Sequence, residues 1–398
     1  MELTPGLRRE PAPDLAAVGQ HDALVERIRA EIERAGPITF ARFMELALYD
    51  PAGGYYRAGS ARPGREGDFL TAAETHPIFG AALARGIDEV WQRLDRPDPF
   101  VLREYGAGTG TLALAILDRL ARDGSGLTDA IRYDPIEIEP RRLEQVAVRL
   151  ARAGRTEILV DPAASGRPME GVALANELLD ALPTHRVVMR DGILRELRVD
   201  WADSRFVDRE APSTTPALAA RLLDEGIALA GGQTAEICLE LDAWIASAAA
   251  GLACGLLLLI DYGYPADELY DPTRRRDGTL RAYLRQRVHG DPYRHVGRQD
   301  LTAHVDVTAV ERATAAAGLT HLGTTTQAEF LVGLGIGERL QAIGADSSTT
   351  LEDYLAVRSA LMRLLDPVAM GRFRVMGFGR DWPDGPPLSG FAYRLASR

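Results

Sequence analysis

Val101-Leu102-Arg103-Glu104-Tyr105-Gly106-Ala107-Gly108-Thr109-Gly110, running into Thr111-Leu112-Ala113-Leu114-Ala115-Ile116-Leu117, is the stretch whose residue types and spacing best suit chemistry. A short β-prone run ends in an acid, turns through three glycines and enters a helix with an apolar face. Glycine lets the backbone take positive φ and lets a ligand lie directly on the chain. The helix start behind it offers unpaired N–H groups to a polar or anionic group. A nucleotide-like cofactor is the natural occupant, and the spacing leaves its kind open. Gly108-x-Gly110-x-x-Ala113 meets the alanine variant of the dinucleotide fingerprint, and a purely structural glycine turn satisfies the same residues.

The tighter G-x-G-x-G spacing, with Glu104 just before it, instead resembles the first motif of S-adenosylmethionine-dependent methyltransferases of the Rossmann-like class. There the turn faces the methionyl part of the cofactor and no pyrophosphate needs binding. A second acid fits either cofactor. Ile131 to Glu139 alternates so that Glu137 and Glu139 point opposite to Ile136 and Ile138, and a carboxylate at a strand tip can accept both hydroxyls of a ribose. Glu137 lies 31 residues beyond Gly106, more than the roughly 20 of a dinucleotide ribose acid. Thr156 to Pro162 reads as a third strand carrying Asp161 to where an adenine ring would lie.

Further acids gather at the ends of later strands. Gly171 to Ala175 reads as a fourth strand releasing Asn176-Glu177-Leu178-Leu179-Asp180, and Gly255 to Ile260 as a buried strand delivering Asp261 to the same edge. Ligands of parallel α/β sheets bind at that carboxyl edge. Asn176, Glu177, Asp180 and Asp261 are therefore the candidate catalytic set, with helix capping as their structural alternative.

The elements around these residues follow from periodicity and punctuation. Helices are expected from His21 to Ala35, after Thr39, and from about Ile78 to Trp91, which makes residues 1–95 a helical N-terminal region before the core at 96–398. A lead-in with Pro5, Pro11 and Pro13 precedes them. His185 to Val199 alternates about Asp191-Gly192 and reads as a β-hairpin insertion near 184–210. The polar, arginine-rich segment near 265–302 is too long for a connection and reads as a lid or partner surface. Phe373–Gly379 and Gly390–Tyr393 read as a closing antiparallel pair.

Composition bounds the function. Hydrophobic content of 46% and charged content of 26% allow a large buried core. A net charge of −11 argues against nucleic acid or an anionic membrane as partner and favours a cationic one. Two cysteines, Cys238 and Cys254, lack metal-ligand spacing and fit a reducing cytosol, where no secretory or transit segment is needed. The apolar run Ala243 to Ile260 reads as a helix followed by a buried strand rather than a membrane span. His289, Asp291, His295, His304 and Asp306 lack the spacing of a zinc site, so no metal is expected.

Taken in order, several blocks resemble the MidA-type methyltransferase family, which includes the mitochondrial complex I assembly factor that methylates a protein arginine. They are Gly54-Tyr55-Tyr56, Gly67-Asp68-Phe69, Ile78-Phe79-Gly80, Glu104 to Gly110, Asn176 to Pro183, Ile260-Asp261-Tyr262-Gly263, Gly278-Thr279-Leu280, Asp300 to Asp306 and Gln327 to Leu331. The resemblance implies an α/β fold: a Rossmann-like class I methyltransferase sheet with a helical N-terminal region and insertions. It implies S-adenosylmethionine as cofactor, held by Glu104, Gly106, Ala107, Gly108, Gly110 and Glu137, with Asp161 added from its place after the third strand. A protein substrate and arginine methylation follow as expectations, and the chain could also form a homo-oligomer. This chain has Ala107 and Thr109 where many relatives have Pro and Arg, and Thr71-Ala72-Ala73-Glu74 where others read Thr-Ser-Pro-Glu. A small-molecule methyltransferase and an assembly or chaperone-like binding protein stand as alternatives.

Overall fold

Phe100–Tyr105 (β1) is the strand on which the main sheet turns. The computed structural model describes residues 18–58 and 71–394. β1 pairs in parallel with Ile131–Ile136 (β2) on one side and with Met169–Asn176 (β3) on the other. β3 continues in parallel to Leu252–Asp261 (β4). Two later strands, Thr320–Thr326 (β5) and Arg374–Arg380 (β6), complete a six-stranded mixed sheet in the order β5-β6-β4-β3-β1-β2, with β6 antiparallel to both neighbours. The chain leaves β1 to one side for β2 and crosses to the other for β3, so the carboxyl ends of β1 and β3 flank the switch point.

Burial on both faces explains why β4 reads as an unbroken apolar run. Leu256, Leu258 and Ile260 pack with the helices Ile78–Arg93, Thr111–Arg122 and Leu351–Leu364, whereas Leu257 and Leu259 pack with Glu240–Ala250 and Val307–Ala316. Helices on both sides of a mostly parallel sheet make this an α/β architecture of the Rossmann-like kind that the sequence motifs imply. Gly80 lets the helices at 78–93 and 111–122 approach closely: a Cβ there would sit 2.6 Å from that of Ala115.

A second, antiparallel sheet joins His185–Arg190, Ile193–Ala202, Arg205–Pro212, Thr234–Ile237 and the short Ile38–Thr39. Its first hairpin turns at Asp191-Gly192, with φ of +50° and +75°, the geometry that matches strand twist in a two-residue loop. The helices Asp22–Ala35 and Phe40–Tyr49 pack on this side of the molecule. Their Leu24, Ile28, Phe40 and Phe43 share a core with Leu280, Ala282, Val296 and Leu301. The 265–302 segment is thus built into the body, with strands at Arg281–Leu284, Arg287–His289 and Asp300–Thr302.

Two expected strands take other forms. Thr156–Ile158 is a single 3-10 turn, and only Leu159 bridges β2, at Tyr133. The Asp161 carboxylate accepts the N–H of Ala163 at 2.8 Å and opens a turn at Pro162, which stops the pairing. Ser389–Ala392 is a helical turn, not a strand, and Gly390 lies against the ring of Phe330. The true partners of β6 are β4 and β5. The apolar 243–260 run is a helix followed by β4, and no helix among the described residues is long and apolar enough to cross a membrane. Gly67-Asp68-Phe69 and most of the proline-containing lead-in lie outside the described residues.

Candidate active site

Three left-handed glycines build the floor of the site. Gly106, Gly108 and Gly110 have φ of +70°, +53° and +76°, a region in which other L-residues are strained. Space is tight as well: a Cβ on Gly106 would lie 3.0 Å from Leu178, and one on Gly110 3.3 Å from Val146. The Gly106 N–H donates to the Ile136 carbonyl at 2.8 Å, which ties the turn to the end of β2. Ala107 is buried and its carbonyl accepts the Gly110 N–H at 2.8 Å.

The two acids at the strand ends differ in their partners. Glu137 Oε2 accepts the Gly108 N–H at 2.8 Å, while its Oε1 accepts the N–H groups of Ile138 and Glu139 at 2.9 and 3.1 Å. Three backbone donors thus fix this carboxylate in place. Glu104 is buried, accepts the Tyr133 hydroxyl at 2.6 Å, and is pushed up to about 8 because burial outweighs that hydrogen bond.

At the end of β3, Glu177 takes φ of +51°. Its Oε1 accepts the Ala72 N–H at 2.7 Å and the Asn176 side-chain amide at 3.2 Å. Burial, with a smaller addition from Asp261, raises its carboxyl to about 8. Asn176 Oδ1 and Glu74 Oε2 are buried with no hydrogen-bond partner among the described residues. Such orphaned acceptors are costly unless a ligand brings donors to them.

Gly106, Ala107, Gly108, Glu104, Glu137, Glu74, Asn176 and Glu177 line one cavity of about 470 Å³ at the switch point, with Arg142. Other walls come from outside the glycine turn, among them Glu45, Tyr49 and Tyr56 from the N-terminal part and Glu240 and Trp244 from the 240–250 helix. Trp244 meets Tyr105 edge-on at 5.4 Å between centroids, and Tyr49 stacks on Tyr56 at 5.6 Å. Glu45 and Glu240 are exposed at the rim, and burial together with the charge of Glu45 raises the Glu240 carboxyl.

The candidate acids therefore separate. Asn176 and Glu177 line the cavity, but Asp180, Asp261 and Asp161 do not. Asp261 is consumed structurally: its Oδ2 accepts the N–H groups of Leu178, Leu179 and Asp180 at 3.0, 2.7 and 3.3 Å, and its Oδ1 accepts that of Tyr262 at 2.8 Å. Asp180 is buried in the same 3-10 turn, its carboxyl raised by burial and then by Asp261. Asp161 is exposed on its turn. Glu45, Glu74, Glu240 and Trp244 were not among the sequence candidates. Only Glu74 carried a signal, the Thr71-x-x-Glu74 block.

Comparison with known proteins closes the choice that the glycine spacing left open. Residues 82–325 match the sequence profile of a family of S-adenosyl-L-methionine-dependent methyltransferases. The chain belongs to this methyltransferase family. It is also similar to the mitochondrial protein arginine methyltransferase NDUFAF7 of Homo sapiens, 29% identical over 87% of this chain and 81% of that protein. The Mus musculus protein of that name is 30% identical over 82% of this chain and 78% of its own length. A COG1565 superfamily member from Burkholderia thailandensis, crystallised with S-adenosyl-homocysteine bound, superposes with a TM-score of 0.84. It is 35% identical over 96% of this chain and 97% of its own. The chain is thus a methyltransferase with S-adenosylmethionine as cofactor, in agreement with the MidA-type motifs. The cytosolic expectation is corrected, because the curated relatives are mitochondrial proteins. Unpaired cysteines fit any reducing compartment and never singled out the cytosol.

Proposed function

We propose that this methyltransferase modifies the guanidinium of an arginine in a protein. The observation that carries this reading is the second half of the cavity lining, where Glu45 and Glu240 stand at a rim with Tyr49, Tyr56 and Trp244 as walls. Aromatic faces and carboxylates together suit a long cationic side chain. The naming of relatives as protein arginine methyltransferases supports the same acceptor.

On this reading the Gly106–Gly110 turn, Ala107 and Glu104 hold the cofactor, and Glu137 anchors its ribose. Asn176 Oδ1 and Glu74 Oε2 find there the donors they lack. Bound S-adenosylmethionine supplies an electrophilic methyl on a sulfonium, with a neutral thioether as leaving group. The protein's part is alignment, which lowers the barrier of an in-line displacement by removing orientational freedom beforehand. A guanidinium nitrogen gains its new C–N bond only as it gives up a proton. Glu177 lines the cavity as the group that receives that proton; with its carboxyl raised to about 8, the ionised, accepting form gains population as pH rises through 8.

Incubation with methyl-labelled S-adenosylmethionine and a cell lysate, followed by mass spectrometry of the labelled residues, tests the acceptor. Label on arginine is the expected result. Label confined to lysine, to carboxylates or to small molecules overturns the reading.

A further inference from the structure

Residues 265–302 contribute nothing to the cavity lining, yet their arginines are not scattered. Arg275 lies over the ring of Tyr264 with its guanidinium carbon 3.9 Å from the centroid. Arg372 and Arg374, about 100 residues further along, stand 5.9 and 6.0 Å from the same centroid. His304 tilts against that ring at 5.4 Å. Its Nδ1 is buried and has no hydrogen-bond partner among the described residues. Burial, followed by Arg275, Arg372 and Arg281, pushes the imidazole down to about 3, so it stays neutral among these cations.

The arginines spend their hydrogen bonds on backbone carbonyls. Arg275 donates to Glu268 at 3.0 Å, Arg374 to Gly263 at 3.3 Å and Arg281 to Leu280 at 2.7 Å. Among the described residues, none of Arg275, Arg281, Arg372 and Arg374 forms an ion pair with a carboxylate, although the chain as a whole carries a net charge of −11. Elsewhere its arginines pair readily, as Arg186 does with Asp208 at 2.7 Å. Three of these guanidinium groups, those of Arg275, Arg372 and Arg374, gather about the Tyr264 ring, and Arg372 lines a shallow cleft with Tyr262, Tyr264, His304 and Phe373, which makes this surface a receptor for oxyanions.

We propose that this cleft is an exosite that holds an acidic segment of the protein acceptor. One face of Tyr264 is already covered by Arg275, which leaves no platform there for a stacked base, and the overall negative charge repels a long polyanion. Position favours a substrate segment. Tyr262 packs on Phe373 at 3.9 Å in the cleft, two residues beyond Ile260, whose carbonyl accepts the N–H of Glu177 at 2.8 Å, and Glu177 lines the methyl-transfer cavity. The two sites therefore lie close together at the end of β4. An arginine flanked by acidic residues would meet acids at the rim and arginines in the cleft. This inference rests on the reading of the acceptor as a protein.

Fluorescence anisotropy of a fluorescein-labelled hexaglutamate peptide, titrated with the full chain at low salt, tests it. Arg275→Gln/Arg372→Gln is compared with Arg358→Gln/Arg363→Gln, an exposed pair on the 351–364 helix. Calorimetry with S-adenosyl-homocysteine reports on the fold and the donor site of each variant. The expected result is saturable binding that the first pair weakens at least tenfold and the second leaves unchanged, with S-adenosyl-homocysteine affinity constant throughout. Absence of binding, or equal loss in both pairs, overturns the exosite. So does displacement of the peptide by inorganic phosphate at concentrations matched in carboxylate equivalents, which marks a small-oxyanion site instead. Peptide binding at the cluster without any arginine product in the lysate experiment removes the acceptor reading alone. Arginine product without peptide binding removes the exosite alone.

Discussion

The N–H of Gly108 donates to Glu137 Oε2 at 2.8 Å, so the turn after β1 and the acid at the tip of β2 are held as one unit. On the proposed reading, the acid that meets the ribose also fixes the loop that carries the rest of the cofactor. Preorganisation of this kind reduces the entropy lost on binding.

Glu137→Ala removes both functions together. A hydrogen bond to a charged group contributes about 1.5–3 kcal/mol, which corresponds to a roughly ten- to hundredfold rise in the dissociation constant for S-adenosylmethionine. Calorimetry measures it directly. An unchanged affinity would show that the ribose lies elsewhere.

Much of this half of the site was legible because its signals are local. Three glycines in five residues announce positive φ, and an acid after an apolar alternation announces a strand tip. The acceptor half was not legible. Whether Asp261 faces a ligand or the backbone depends on β3 and β4 pairing so that Asn176 meets Ile260, which sets the Leu178–Asp180 amides on its carboxylate. Glu45 and Glu240 come from helices almost 200 residues apart, and only tertiary packing joins them. The helix Ile336–Ala345 escaped notice because Gly333, Gly335, Gly337 and Gly344 mask its period.

The main sheet has a buried ionic anchor open to test. Arg103 donates to Asp134 at 2.7 Å, to the Gly251 carbonyl at 2.8 Å and to that of Arg167 at 2.7 Å, and both charged side chains are 2% exposed. Gly251 has to be glycine for this, since a Cβ would lie 2.6 Å from the guanidinium. Arg103→Met leaves Asp134 buried without its counterion and should cost about 3–5 kcal/mol in chemical denaturation. Replacing Asp134 by Leu in the same chain should recover part of that loss. A loss below about 1 kcal/mol in the single variant would contradict the account.

Stability should also vary with pH through Glu104, raised to about 8 by burial. In the unfolded chain this carboxyl ionises near 4.3, so across the interval from about 4.3 to 8 the folded state holds a proton that the unfolded state has released. The group's contribution is fully favourable below that interval, declines as pH rises through it and is level above it. Glu104→Gln keeps an acceptor for Tyr133 and abolishes the titration. The variant should gain on the wild type from pH 5 to 8, by an amount on the order of a few kcal/mol. Melting curves at half-unit pH steps check this, and a constant difference would place the Glu104 proton equally in both states.

Glu177 and the rim acids should separate kinetically. Glu177→Gln preserves the shape and the acceptor for the Ala72 N–H but cannot take up a proton in the required range. Turnover should fall by about 10²–10⁴, with the dissociation constant of S-adenosylmethionine within about twofold of wild type, because on the proposed reading the cofactor is held chiefly from the ends of β1 and β2. Glu45→Gln/Glu240→Gln removes both rim carboxylates, and with Glu45 its ion pair to Arg42 at 2.8 Å, but reaches no group on the cavity floor, so it should raise KM for an arginine peptide while kcat holds. The two patterns diagnose different physics: an interaction made only as the nitrogen loses its proton lowers kcat, whereas one made equally to the waiting and the reacting guanidinium does not. A rim variant that lowered kcat as much as Glu177→Gln would place the proton acceptor at the rim and reduce Glu177 to an anchor for the 72–75 turn.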